Sequence, residues 1–501
     1  MKKHIALITA IAAQLACSGP GQRSESSSLE HHRPRFHFSP KQNWMNDPNG
    51  MVYHNGTYHL FFQHNPDSTV WGPMHWGHAT SQDLVHWEEQ PIALYPDSLG
   101  TIFSGSAVVD KDNTAGFGND ALVAIFTHHN HAIEQEKTGL HQYQSLAYST
   151  DEGKTWTKYE GNPVLPNPGI WDFRDPKVMW HEGSGKWVMT LATKQSITFY
   201  GSPNLKDWTR LSEFGESIGA HGGVWECPDL ISFDDQGKKI WVLIVNLNPG
   251  APNGGSGGQY FVGDFDGTTF RPYDTDIRWL DFGRDNYAGV TWSNTGERRI
   301  FIGWMNNWDY ANVVPTNPWR SATTLPRELG VEKVNGKWYL IAQPVAELSA
   351  ITTAMRDLAK VDGGEDVSLK TTVGKLPETY RLDFTYPADS DFKITLKNDT
   401  GEWVAFGYVA AERQFFIDRT QSGDVSFSDK FASRDSAPRI SGEPVIRASL
   451  WVDVASIEVF ADNGLTAMTT TFFPTQVYDD IVLQGQSGAA FADVNLYRIS
   501  R

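Results

Sequence analysis

Along most of the chain, apolar and polar positions alternate over short runs broken by Gly, Asn, Asp and Pro, while helical spacing is scarce. That pattern predicts an all-β protein. In the first two thirds, strand-like runs lead into a recurring turn: Ser81-Gln-Asp-Leu-Val-His-Trp87, Ser149-Thr-Asp-Glu-Gly-Lys-Thr-Trp156 and Ser202-Pro-Asn-Leu-Lys-Asp-Trp208. Self-similarity at intervals of about 50 to 70 residues predicts repeated four-stranded units, as in a β-propeller. The repeat stops near Gly330, and Ile341 to Met355 reads as a short helix or linker. The texture then changes. Tyr380, Leu382, Phe384 and Tyr386 alternate with Arg381, Asp383 and Thr385, and Phe392, Ile394 and Leu396 alternate with Lys393, Thr395 and Lys397. One buried and one wet face is what a sandwich strand requires. The expected organisation is a propeller over 31–340, a linker over 341–355 and a β-sandwich over 356–501.

A length of 501 residues agrees with two or more domains, and 40% apolar against 20% charged residues suits a globular chain. The 19 Trp, 17 Tyr and 27 Phe serve equally to fill a β-rich core or to stack on sugar faces. The net charge of −17 argues against nucleic acid or an anionic membrane surface as partner. Residues 1–30 read as an export signal and tether: Lys2 and Lys3 precede the apolar run Ile5 to Ala16, which is too short to span a bilayer. Cys17 and a Ser-rich stretch follow, resembling a bacterial lipoprotein signal in which Cys17 is lipidated, although Gln14 departs from the usual apolar residue there. Plain secretion is the alternative. Membrane contact is expected only through that anchor. With Cys17 so used, Cys227 has no partner and no disulfide is expected.

Three segments carry the candidate chemistry: Trp44-Met-Asn-Asp47-Pro48-Asn49-Gly50, Trp171-Asp-Phe-Arg174-Asp175-Pro176 and Trp225-Glu226-Cys227-Pro228-Asp229. Each sets a tryptophan, then carboxylates, then a proline, which pushes the preceding residue into extended backbone and withholds a ladder donor. Equivalent positions in successive blades face a common axis, so three carboxylates distant in sequence can converge in one funnel. Two converging carboxylates are the minimum for glycosidic hydrolysis, one attacking and one protonating the departing oxygen. His128 and His129 are neighbours on one strand and point to opposite faces, a poor joint site; a solvated loop or a pocket rim is expected, with no metal and no cofactor. The Gly-rich run Asn248 to Gly258 lacks a phosphate-loop ending and reads as a flexible loop near the funnel.

The seven residues 44–50 resemble the signature of glycoside hydrolase family 32, the invertases, inulinases and levanases. Further matches run in order through Phe62-Gln63-His64-Asn65-Pro66, Trp71 to His78, Phe103 to Ser106, Arg174-Asp175-Pro176, Glu226-Cys227-Pro228, Asp281 to Tyr287, Trp304 to Trp308, Leu325 to Leu329 and Ser456 to Gly464. The resemblance implies a five-bladed propeller followed by a β-sandwich. It implies a retaining mechanism with Asp47 as nucleophile, Glu226 as general acid/base and Asp175 holding fructose hydroxyls beside Arg174. It also places Asn46, Gln63, Trp71, Phe103 and Ser104 around a terminal fructose, with Trp44, Trp308 and Trp319 as weaker binding candidates. Cys227 reads as a small buried side chain without a redox role. The implied substrate is a fructan (levan or inulin) or sucrose, cut from the chain end. Endo action, fructosyl transfer or an inactive fructan-binding protein are the alternatives, and the oligomeric state is unread.

Overall fold

The computed structural model describes residues 30–501, so the expected export signal, Cys17 and nearly all of the tether lie outside the described residues. The first two thirds form five antiparallel sheets of at least four strands, the blades of a propeller. Their first strands, Asn43–His54, Thr101–Asp110, Phe173–His181, Val224–Asp235 and Tyr287–Thr291, touch one another in a closed ring around the axis. The two-residue strand Trp319–Arg320, from the last blade's segment, pairs in parallel with Asn43–Trp44 and ties the ring shut.

The recurring turn joins the third and fourth strands of the first three blades. In each, the Ser hydroxyl bonds the following Asp or Asn (Ser81–Asp83, Ser149–Asp151, Ser202–Asn204), and the closing indole donates back to a turn carbonyl. Trp87, Trp156 and Trp208 bond Leu84, Gly153 and Leu205 in this way.

All five ring strands share one further device. Two residues oppose one, or one opposes none, at Asp47, Phe103–Ser104, Asp175–Pro176, Cys227–Pro228 and Ala288–Gly289. Such β-bulges bend the strand and re-aim its side chains. Proline suits the bulged position because no ladder donor is needed there.

The C-terminal part is a sandwich of two six-stranded sheets. Tyr380–Pro387 and Phe392–Lys397 show the expected alternation, burying every second residue. Between the domains lies the 3-10 turn Ala346–Ile351. It is shorter than the expected linker because Ile341–Pro344 stay paired in the last blade and Thr352 already opens a sandwich strand.

Sandwich and propeller share a core in which Trp44, Met45, Trp304 and Cys227 meet Trp451, Phe460 and Ala467. A fully buried charge network crosses the same interface. Arg327 bonds Asp281 at 2.8 Å and, across the domains, Glu458 at 2.6 Å. His37 sits between Glu458 and Asp453 at 2.9 and 2.8 Å. Nearby, Arg419 of the sandwich reaches Asp285 at 2.7 Å and the Tyr310 hydroxyl at 2.8 Å. The run Asn248 to Gly258, expected as a flexible loop near the funnel, does lie beside it, Ser256 Oγ accepting the Trp308 N–H at 3.3 Å, but its middle is pinned to the sandwich: Asn253 bonds the carbonyls of Phe282 and Ser436.

Burial alone would strip His37 of its proton, yet the two carboxylates outweigh it and push its pKa up to about 9. A folded value above the unfolded one means stability fully present below about 6.5 and lost as pH rises through 9. His37→Ala is therefore expected to lower unfolding stability by an amount that shrinks by about 3 kcal/mol between pH 6.5 and 9.5. Denaturant titrations of both proteins across that range check it; a constant difference would contradict the charged His37.

Candidate active site

The bulges deliver their side chains to one funnel at the start of the ring strands. Asn46, Asp47, Gln63, Trp71, Phe103, Ser104, Arg174, Asp175, Glu226 and Trp308 line a cavity of about 440 Å³. Sequence positions as far apart as Asn46 and Trp308 thus meet in one small volume. A larger groove, about 800 Å³, opens at the opposite ends of the same strands around Lys177–Trp180 and Thr291–Gly296. Its two buried carboxylates are already taken: Asp229 is paired with Lys177 at 3.1 Å, and Asp110 accepts the N–H groups of Thr114 and Ala115 at 2.9 and 2.7 Å. The smaller funnel is the one in which carboxylates from three ring strands, Asp47, Asp175 and Glu226, come together.

Asp47 is held from three sides. Asn46 Nδ2 donates to Oδ1 at 3.0 Å, while Ser104 Oγ and Cys227 Sγ approach Oδ2 at 2.8 and 3.5 Å. The amide of Asn46 cannot turn round, because its Oδ1 accepts the indole N–H of Trp44 at 2.7 Å. Burial and the charge of Glu226 raise the pKa of Asp47, and those three donors oppose the rise.

Asp175 lies at a left-handed backbone position, φ 65°, within the bulge. Its Oδ2 accepts the Cys227 N–H at 3.0 Å and faces the same thiol at 3.6 Å. Cys227 is itself left-handed, φ 43°. Burial drives the Asp175 pKa up to about 7; Arg174 opposes this, and Glu226 and Asp47 add to it. Burial, with the neighbouring carboxyls added to it, works against ionisation of both Asp47 and Asp175.

Glu226 is gripped by cations and a phenol. Its Oε1 accepts from Arg174 Nε and Nη2 at 3.2 and 3.0 Å, and its Oε2 accepts the Tyr287 hydroxyl. Asp172 holds the other end of the guanidinium at 2.6 Å. Gln63, only 2% exposed, keeps an unpartnered Nε2 among the described residues, a donor suited to a sugar hydroxyl.

Two binding candidates are corrected. Trp319 does not line the funnel: it is 3% exposed, locked in the closing strand with the Arg33 guanidinium 5.0 Å above its ring. Trp44 is fully buried and acts behind the wall, orienting Asn46 and packing against Trp308 at 5.8 Å. Other participants went unassigned in the sequence. Tyr287 lies inside a quoted motif, but nothing in its spacing signals a bond to Glu226. Cys227 is a free buried thiol, yet it is also the bridge between Asp47 and Asp175.

His128 and His129 do point oppositely, but they end a buried strand and not a solvated loop. His128 bonds Ser145 at 2.8 Å, whereas His129 and His131 reach the funnel rim. Among the described residues, His129, His131 and Glu134 form the one group placed to hold a metal, with ligand atoms within 4.8 Å of one another. The hydrogen bonds oppose that use. Gln142 Oε1 accepts the Phe173 N–H at 2.8 Å, so its amide donates to His129 Nδ1 at 3.2 Å. The tautomer assigned by that pairing carries its proton on Nε2, facing Glu134 Oε2 at 3.2 Å, where a metal would need a bare nitrogen.

Comparison with known proteins agrees with this geometry. The model of the glycosyl hydrolases family 32 N-terminal domain matches residues 37–344, and that of the family 32 C terminal matches residues 347–498. A levanase of Bacillus subtilis is 46% identical over 475 residues, covering 92% of this chain and 69% of the relative. An extracellular exo-inulinase of Aspergillus niger is 44% identical over 488 residues, covering 89% and 90%. The crystal structure of exo-inulinase from Aspergillus awamori superposes with a TM-score of 0.85 at 40% identity, covering 94% of this chain and 98% of that one. A β-fructofuranosidase from Schwanniomyces occidentalis complexed with fructosyl-erythritol gives 0.84 at 34%, covering 96% and 99%. With both halves matched in order over a propeller and a sandwich, the chain belongs to glycoside hydrolase family 32.

Proposed function

We propose that this protein is a retaining, exo-acting β-fructosidase that releases terminal fructose from fructans and from sucrose. The observation that carries the reading is the convergence of Asp47, Asp175 and Glu226 in one funnel of about 440 Å³, large enough for a terminal sugar and its neighbour. Asp47 attacks the anomeric carbon, the bond from that carbon to the departing oxygen breaks, and protonated Glu226 gives that oxygen its proton. Water then enters, Glu226 takes its proton, and the new carbon–oxygen bond displaces Asp47. Asp175 accepts fructose hydroxyls without reacting, and bonds that strengthen at the transition state accelerate the step. Arg174 and Tyr287 hold Glu226 at the correct rim of the sugar, while Trp71, Phe103 and Trp308 supply apolar walls.

Relatives named for levan and for inulin support a fructan substrate, and the name exo-inulinase supports attack at chain ends. The N-terminal signal pattern, with relatives described as extracellular, supports export; lipidation at Cys17 is the finer reading, tested by labelling with a radioactive fatty acid in wild type and Cys17→Ala.

Chromatography of early products from levan and inulin should show fructose alone; a ladder of oligosaccharides would overturn exo action. Asp47→Asn and Glu226→Gln should each lower kcat by about 10³-fold or more while the protein stays folded. Ser104→Ala removes a donor that favours ionised Asp47. The acid limb of kcat/KM is then expected about half to one pH unit higher, since more alkaline solution is needed to ionise the nucleophile. A pH profile of unchanged shape would contradict the Ser104–Asp47 contact.

A further inference from the structure

The funnel has two unlike walls. On the Asp47 side stand Trp71 and Phe103, edge to face at 6.2 Å, and Trp308. On the Glu226 side stands Trp171, three residues before the arginine that grips Glu226 and one before the aspartate that anchors that arginine. It is 40% exposed and borders the cavity, so its ring is open to a bound sugar. Beneath it lies His141, rings 4.5 Å apart, 1% exposed, with Nδ1 unpartnered among the described residues.

Along the same rim, linked to Trp171 through His141 and His129 with ring centroids 4.5 and 5.2 Å apart, is the short capped helix His131–Gln135, inserted between the second and third strands of the second blade. It presents Glu134. One carboxylate oxygen, Oε2, is fixed by His129 at 3.2 Å and lies 3.5 Å from His131 Nδ1. Oε1 has no hydrogen-bond partner among the described residues and borders the cavity. Burial would raise the pKa of Glu134, and the adjacent imidazoles more than offset it, so the group is ionised and accepts only.

In a displacement by Asp47 the leaving oxygen departs away from the nucleophile, toward the acid, so whatever is attached to that oxygen lands on the Glu226 side. The ligand chemistry there is an apolar plate beside an acceptor: a sugar ring with one carbon face and outward hydroxyls fits both. We infer that Trp171 and Glu134 form the binding site for the first sugar unit of the leaving group, the indole under its ring and Glu134 Oε1 accepting a hydroxyl. The inference rests on the proposed reaction and adds to it the residues that recognise what leaves. Trp171 and Glu134 are specificity determinants and do not touch the reacting atoms.

The test compares two substrates with the same terminal fructose: a difructoside, whose leaving group is a sugar, and methyl β-D-fructofuranoside, whose leaving group is methanol. The readout is the ratio of their kcat/KM values. Trp171→Ala should lower that ratio by about five- to tenfold, with Trp171→Phe recovering most of it. Glu134→Gln, which keeps the shape and removes the charge, should lower it by about threefold. Should Trp171→Ala fold poorly, Trp171→Leu and Glu134→Gln give the same ratio. Equal losses on both substrates, or no change of ratio in any variant, would overturn the site. Wild-type protein that frees fructose from neither substrate would instead refute the reaction itself, and this inference with it.

Discussion

The constraint on which the structure depends is that an acid must sit at the mouth of a β-sheet ring without any strand being broken. A regular strand alternates its side chains between faces, and neither face of a blade's first strand points along the propeller axis. The bulge solves this five times. It inserts one residue, tilts the chain and turns Asp47, Ser104, Asp175 and the segment of Glu226 toward the opening. Left-handed backbone at Asp175, Cys227 and Ala288 is the local cost of that turn. The paired strands of each blade, hydrogen-bonded on the far side, hold it in place.

Once the acids converge, electrostatics governs the funnel. Arg174 lies between Glu226 and Asp172, Tyr287 caps the other oxygen of Glu226, and Cys227 stands between the two aspartates. None of these groups carries the reaction in the proposed mechanism. They keep three mutually repelling carboxyls within reach of one sugar, where burial first, and crowding in addition, raises the pKa values of Asp47 and Asp175.

Much of this was legible in the chain itself. The Ser-to-Trp turn marked three blades because its side-chain bonds are local, closing within eight residues. The fourth blade escaped that reading: its outer turn is built on Asp266 accepting from Thr268 and Thr269, with no indole. The fifth is interrupted by the closing strand at Trp319. The acids stood out because a proline follows each within two residues, at or beside a bulge where no ladder donor is needed, and that spacing is visible in sequence. Trp319 and Trp44 were misread for one reason: a tryptophan beside a site motif looks the same whether it lines a cavity or braces its wall. The contact of Tyr287 with Glu226, and those of Cys227 with Asp47 and Asp175, join residues from different blades, and no local pattern records them.

The buried network at Arg327 has a wider meaning. Asp281, Asp285, Tyr310 and Arg327 belong to the propeller, while Glu458, Arg419 and Thr469 belong to the sandwich, and each set neutralises the other out of water's reach. Neither half is therefore a free-standing module. A chimera joining the propeller of one relative to the sandwich of another inherits stranded charges unless both sides of the seam travel together, so the two domains are bound to diverge as a single unit.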